Sequence, residues 1–194
     1  MVDLPLTNFY GYRDNPVEKH FWGRLPVSAA TAFLHFNRGS LVQRLLHEIK
    51  YRGNRDIGIF LGKLMGEQLA ASDAFKNCSL LVPVPLFASR LRKRGYNQSA
   101  LLCEGMSEAM GIRFCNDALL RMAATDTQTK KNRQERWVNM QDRFQLNKTA
   151  EMEGHHILLV DDVVTTGATL EACGKALLSV NNCTMSIAAL AYAV

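Results

Sequence analysis

The sequence has no C-x-x-C pair, no long apolar run, no internal repeat and no low-complexity tract, and each absence removes a class of protein. Its five cysteines, Cys78, Cys103, Cys115, Cys173 and Cys183, are odd in number, and several lie inside apolar runs. That pattern fits neither a metal ribbon nor a disulfide framework, and it reads as reduced core thiols of a cytosolic protein. The longest unbroken apolar stretch, 187–194, is too short to cross a bilayer, and the opening MVDLPLTNFYGYRDNP has neither a basic start nor an apolar segment of signal-peptide length. The expectation is a cytoplasmic location without membrane insertion. No Pro/Gly/Ser linker divides the chain. His20, His35, His47, His155 and His156 lack metal-ligand spacing to cysteine or carboxylate partners and read as structural or exposed. Aromatic residues near the basic clusters are scarce, Tyr96 and Trp137 being the obvious ones, so a stacking platform for single-stranded nucleic acid is poorly supplied.

What is present is a chain of 194 residues, 47 % hydrophobic, long enough for a substantial core and within the range of one domain. The balance of 23 Lys plus Arg against 18 Asp plus Glu, net +5, suits an anionic ligand and is too mild to require nucleic acid.

Residues 1–39 are rich in aromatics and turn formers without a clean period, and read as an irregular lead-in packed on the body. Helical spacing of Leu41, Val42, Leu45, Leu46 and Ile49 predicts a helix over 40–52, with Ser40 as N-cap and Gly53 as stop. A second helix is expected over 57–71, where Gly58, Gly62 and Gly66 lower its propensity but allow close packing. The run 79–85, closed by prolines, reads as a buried strand leaving into a basic loop over 87–98. A helix over 98–110 and a strand over 112–120 follow, then a polar, charged segment over 123–142 of a length typical of functional or disordered loops. The last third predicts a strand over 156–160, a helix over 169–180 and a strand over 185–193. That order implies an α/β fold with a mostly parallel sheet. Residues 1–75 are expected to form an irregular and helical appendage to a main domain over 76–194, the two making one compact unit.

The segment Ile157-Leu158-Leu159-Val160-Asp161-Asp162-Val163-Val164-Thr165-Thr166-Gly167-Ala168-Thr169 carries the chemistry. Four aliphatic residues demand a strand buried on both faces, and burial cannot explain the two carboxylates after them. At the C-terminal end of a parallel strand, Asp161 and Asp162 are placed to accept hydrogen bonds from sugar hydroxyls and to help seat a hydrated magnesium ion. Residues 165–169 can curl so that backbone N–H groups and three hydroxyls converge, with Gly167 free to take an unusual backbone angle and the helix that follows aiming its positive end at the same point. Taken alone, the carboxylates would merely solvate a strand end and the threonines cap a helix. Joined within thirteen residues, they favour a sugar phosphate.

This string resembles the phosphoribosyl pyrophosphate signature of type I phosphoribosyltransferases. The resemblance implies that Asp161 and Asp162 hold the ribose hydroxyls and act in catalysis, and that Val164, Thr165, Thr166, Gly167, Ala168 and Thr169 bind the 5-phosphate. It further implies Mg2+ carried by the ligand near the two aspartates, with no metal bound directly by the protein. Val82-Pro83-Val84-Pro85, the cations Arg90, Arg92, Lys93 and Arg94 with Gly95-Tyr96-Asn97-Gln98, the helix segment His47-Glu48-Ile49-Lys50-Tyr51-Arg52-Gly53, and Gln128-Thr129 with Arg133, Arg136, Asn139 and Phe144 are similar to the ComF family of the same superfold. The likeness runs from about residue 40 onward. Physically, the basic loop sits beside the C-terminal end of a neighbouring strand, so that Pro85, Leu86, Arg90 and Arg94 would face a pyrophosphate, and Lys130, Arg133 and Arg136 would close over it as the superfold's flexible loop does. The chain departs from the pattern in three places. Pro85-Leu86-Phe87 replaces an acidic, glycine-containing pyrophosphate loop. No residue stands out as acid or base for a nucleobase. The four-cysteine zinc ribbon common in ComF proteins has no counterpart here. The family implies transfer of a phosphoribosyl group to a nitrogen acceptor, or single-stranded DNA binding in competence without turnover. Pairing into homodimers is common in the superfold.

Overall fold

The computed structural model describes residues 4–122 and 144–193. Four strands form one sheet in the order β1 (Ala30–Phe36), β6 (Thr184–Ala193), β5 (His156–Val164), β2 (Leu80–Pro83), and every neighbouring pair runs parallel. Parallel strands need covered faces, and both faces are covered. Successive residues of β5 supply both cores: Ile157 and Leu159 pack with Phe21, Leu170, Cys173 and Leu177, whereas Leu158 and Val160 pack with Val42, Leu61, Leu101 and Met106. All four β5 residues are fully buried, each contributing roughly 1.5–3 kcal/mol. A one-residue slip would exchange their faces, so the register of the two following aspartates is fixed as well.

The first face is covered by α1 (Pro16–Phe21) and α6 (Ala168–Leu177), the second by α2 (Leu41–Tyr51), α3 (Arg55–Ala70) and α5 (Gln98–Met110). Ser40 caps α2 as expected, its side chain accepting from the Gln43 N–H. The α3 glycines serve contact with α5. A Cβ on Gly62 would lie 2.3 Å from the Leu102 carbonyl oxygen, and one on Gly105 would lie 2.0 Å from that of Ile59. Two helices thus touch backbone to backbone, which offsets the roughly 1 kcal/mol that glycine costs a helix relative to alanine.

Three expectations are corrected. The lead-in is not irregular throughout, because its residues 30–36 form β1, which joins the sheet beside β6. The basic stretch after Pro85 is not an open loop but carries α4 (Ala88–Arg94), closed by Gly95 at φ 80°. The strand expected over 112–120 is reduced to a bridge between Phe114 and Leu81 and the short β3 (Leu119–Arg121), which pairs antiparallel with β4 (Phe144–Leu146) outside the main sheet. In α4 the run of charged residues masked the helical period. The whole polar segment over 123–142, with Lys130, Arg133 and Arg136, lies outside the described residues, as does the adjoining residue 143. Among the described residues no helix is long and apolar enough to cross a membrane.

Candidate functional site

The two sides of β5 end at different heights. Its pairing with β2 stops at Pro83 opposite Val160, sealed by the Val84 N–H donating to the Val160 carbonyl at 2.8 Å, whereas its pairing with β6 continues to Val164 opposite Tyr192. The strand therefore runs four residues beyond the expected stop at Val160, through both aspartates. Alanines of β6 face this stretch, Ala189 opposite Asp161 and Ala191 opposite Val163. Because β2 turns away at its prolines, residues 161–164 have no strand partner on that side, at the C-terminal ends of the strands where α/β proteins take ligands.

The carboxylates are not exposed strand-end groups. Adjacent strand residues leave opposite faces. Asp161 Oδ1 accepts from Ser99 Oγ at 3.1 Å and from the Asp162 N–H at 2.8 Å. Burial, and next the negative charge of Asp162, push the Asp161 carboxyl up to about 7, against the opposing effect of those two donors and of Lys50. Asp162 is 8 % exposed, and Lys50 Nζ approaches its Oδ2 to 2.7 Å as an ion pair that lacks the angle of a hydrogen bond. Ser99 is held in turn by Asn97, whose Oδ1 accepts from the Ser99 N–H at 3.1 Å while its Nδ2 donates to the Val84 carbonyl at 2.9 Å. The start of α5 and the end of β2 are thereby tied to the acidic pair.

The turn after Val164 leaves Thr165 and Thr166 exposed and places Gly167 at φ 66° immediately before α6, whose first turn lacks a side-chain cap. The Ala168 N–H finds only a long contact, 3.5 Å, to Thr166 Oγ1. Thr169 is half-buried on the same turn. A left-handed residue leading into uncapped helical N–H groups forms a cradle of a kind that can receive an anion.

The N-terminal segment backs this cradle. Arg24 donates to the Thr166 carbonyl at 3.1 Å, to the His20 carbonyl at 3.1 Å and twice to Glu171 Oε2, at 2.7 and 3.0 Å. Lys175 donates to Glu171 Oε1 at 2.7 Å. Burial alone would raise the Glu171 carboxyl, but Lys175 and Arg24 outweigh it and hold it below the usual range. A Cβ on Gly167 would meet His20 Cδ2 at 2.8 Å, and the buried His20 Nε2 has no hydrogen-bond partner among the described residues.

Of the basic residues, Arg94 turns inward, donating to Gln98 Oε1 at 2.8 Å and lying 5.1 Å from the Tyr51 ring centre. Arg90 is exposed and stacks over Phe87, and Arg92 and Lys93 are exposed beside it. Pro85 is buried, and with Leu86 it lines a cavity of about 490 Å³ shared with Tyr96, Asn97, Glu104 and Phe114. The acidic pair and the 165–169 turn lie next to each other, with Arg94 two hydrogen bonds behind Asp161 through the Gln98-Ser99 step. Sequence alone singles out neither Ser99 nor Arg24, reads His20 as structural or exposed, and marks Lys50 only as part of a family-like helix.

Residues 96–193 match the family described as phosphoribosyl transferase domain. DNA utilization protein YhgH of Salmonella typhimurium is 31 % identical over 137 residues, 69 % of this chain and 60 % of that protein. Competence protein F of Haemophilus influenzae is 33 % identical over 139 residues, with the same two shares. The chain therefore spans about three-fifths of the length of these relatives. Among solved structures, the allosteric regulatory enzyme of purine biosynthesis is similar with a TM-score of 0.47 at 18 % identity, over 73 % of this chain and 29 % of that one. With a parallel sheet, an acidic pair on a central strand and a family match over half its length, the chain belongs to the phosphoribosyl transferase domain family, with competence F proteins among its relatives.

Proposed function

We propose that the crevice beside β5 binds phosphoribosyl pyrophosphate and that the protein is a phosphoribosyltransferase for a nitrogen acceptor. The observation that carries this reading is the run from Asp161 and Asp162 into the Gly167 cradle at the N-terminus of α6. Two carboxylates beside an anion cradle match a ligand with both hydroxyls and a phosphate, whereas they would repel a bare polyanion. In the proposed reaction the ribose C1–O bond to pyrophosphate breaks, a C1–N bond forms, and the acceptor nitrogen loses a proton. The work of the protein is positioning and charge stabilisation: Asp161 and Asp162 fix the ribose, residues 164–169 the 5-phosphate, and Arg90 with residues 130–136 the pyrophosphate. Among the described residues no group of three or more His, Cys, Asp or Glu side chains comes together to hold a metal. A magnesium ion carried by the ligand would be held near Asp161 and Asp162 and would supply charge neutralisation for the pyrophosphate.

A second reading rests on the exposed Arg90, Arg92 and Lys93 of α4 and on relatives named for competence and DNA utilization: a single-stranded DNA module that keeps the fold without turnover. Calorimetric titration with phosphoribosyl pyrophosphate, with and without magnesium and with single-stranded DNA as competitor, separates the two. Saturable, magnesium-dependent binding that DNA does not displace supports the transferase. Salt-sensitive DNA binding alone overturns it.

A further inference from the structure

Lys50 lies outside the residues matched to the family, on the last turn of α2, yet it is the cation that meets the acidic pair. The Asp162 side chain is 11 % exposed, so an ionised carboxylate there needs a positive charge close by. The position of Lys50 is enforced. Tyr96 Oη donates to the Ile49 carbonyl, and Arg94 lies over the Tyr51 ring, so the residues on either side of Lys50 are pinned to the start of α5 and the end of α4. The C-terminal turn of a helix also favours a cation through its dipole. Lys50 itself is 24 % exposed, and its flexible stem leaves it free to shift as a ligand enters.

We infer that Lys50 is the built-in counter-ion of the acidic pair, holding on Asp162 the place that a divalent cation would otherwise take, so that the ribose 5-phosphate half of the ligand binds without metal. The metal requirement then belongs to the pyrophosphate half alone. The second clause rests on the phosphoribosyl reading above, but the first does not. With a neutral residue at position 50, Asp162 would have to recruit an external cation or a proton.

The test uses the full chain freed of metal by chelation, as wild type, Lys50→Met and Lys50→Arg, with Lys50→Gln carried in parallel as a second neutral side chain should the Met variant misfold. Manganese alone is titrated and followed by electron paramagnetic resonance. The neutral variants are expected to bind Mn2+ about tenfold more tightly than wild type, since a competing charge has been removed, while Lys50→Arg stays at the wild-type level. Ribose 5-phosphate is then titrated calorimetrically. Wild type and Lys50→Arg should bind it equally in EDTA and in magnesium, whereas the neutral variants should lose about tenfold in EDTA and regain it with magnesium. Equal Mn2+ affinity in wild type and folded neutral variants, or ribose 5-phosphate binding by those variants that EDTA leaves unchanged, overturns the inference. Should wild type fail to bind ribose 5-phosphate at all, the phosphoribosyl reading falls, and the manganese titration still decides the role of Lys50.

Discussion

Arg24 Nη2 donates at once to the Thr166 carbonyl, at 3.1 Å, and to Glu171 Oε2, at 2.7 Å, so one guanidinium clamps the candidate phosphate turn to the helix behind it. Arg24 and Glu171 are 147 positions apart in the chain. Replacing Arg24 by alanine should lower stability by about 1–3 kcal/mol, because Glu171 is buried and keeps only Lys175 among these donors. It should also weaken ribose 5-phosphate binding by about tenfold through the loosened turn. Lys in its place keeps a charge without the fork and should restore stability better than affinity. Thermal melts and calorimetry read the two effects separately.

Gly167 is constrained twice, by φ 66° and by His20 packed where a Cβ would stand. Gly167→Ala should displace the turn at a cost of about 1–2 kcal/mol and abolish ribose 5-phosphate binding. His20→Ala in the same chain should return part of the affinity by making room, but not all, since the backbone angle stays unfavourable. Full recovery in the double variant would show that the angle has no part in the cradle.

Asp161 makes a pH-dependent contribution of a definite sign. Its folded value of about 7 lies above the ordinary 3.8, so its protonated form favours the fold at low pH and this contribution is lost as pH rises through about 7. Asp161→Asn removes the ionisation, so its stability relative to wild type should rise progressively from pH 4 to pH 8, with each ~1 kcal/mol worth roughly 2–4 °C in Tm. Binding should show the opposite trend: a ribose hydroxyl donates to the ionised form, so affinity in wild type should fall as pH drops from 8 to 6. Melting curves that differ equally between the two proteins at both pH values would contradict the assignment.

The backbone contact between α3 and α5 makes a prediction about stability alone. Gly105→Ala, with its Cβ forced to within 2.0 Å of the Ile59 carbonyl oxygen, must separate the helices and should destabilise the protein by about 3 kcal/mol or more. An alanine at Gly39, which meets nothing within 4 Å, should act only through its φ of 76°. Chemical denaturation of both variants measures the contrast.

The features legible in the sequence are those set by local chemistry. Periodicity and a capping serine delimited α2, glycine spacing anticipated the α3–α5 contact, and four aliphatic residues followed by two acids marked β5 and its turn. What escaped was decided across the chain. Val163 and Val164 extend β5 because β6 runs on beside them, with Ala191 and Tyr192 opposite, and nothing within the segment itself marks that. Ala30–Phe36 looked irregular because both of its faces are occupied in the sheet, which erases alternation. The Lys50–Asp162 and Arg24–Thr166 contacts join residues more than a hundred positions apart, where no spacing rule applies.

The measurement that bears most directly on the central claim is calorimetric titration of phosphoribosyl pyrophosphate, in magnesium, into wild type and into a protein carrying Asp161→Asn with Asp162→Asn. The reading advanced here predicts one saturable site in wild type, and its loss in a variant that still melts cooperatively. Unchanged affinity in the double variant would place the ligand elsewhere and contradict it.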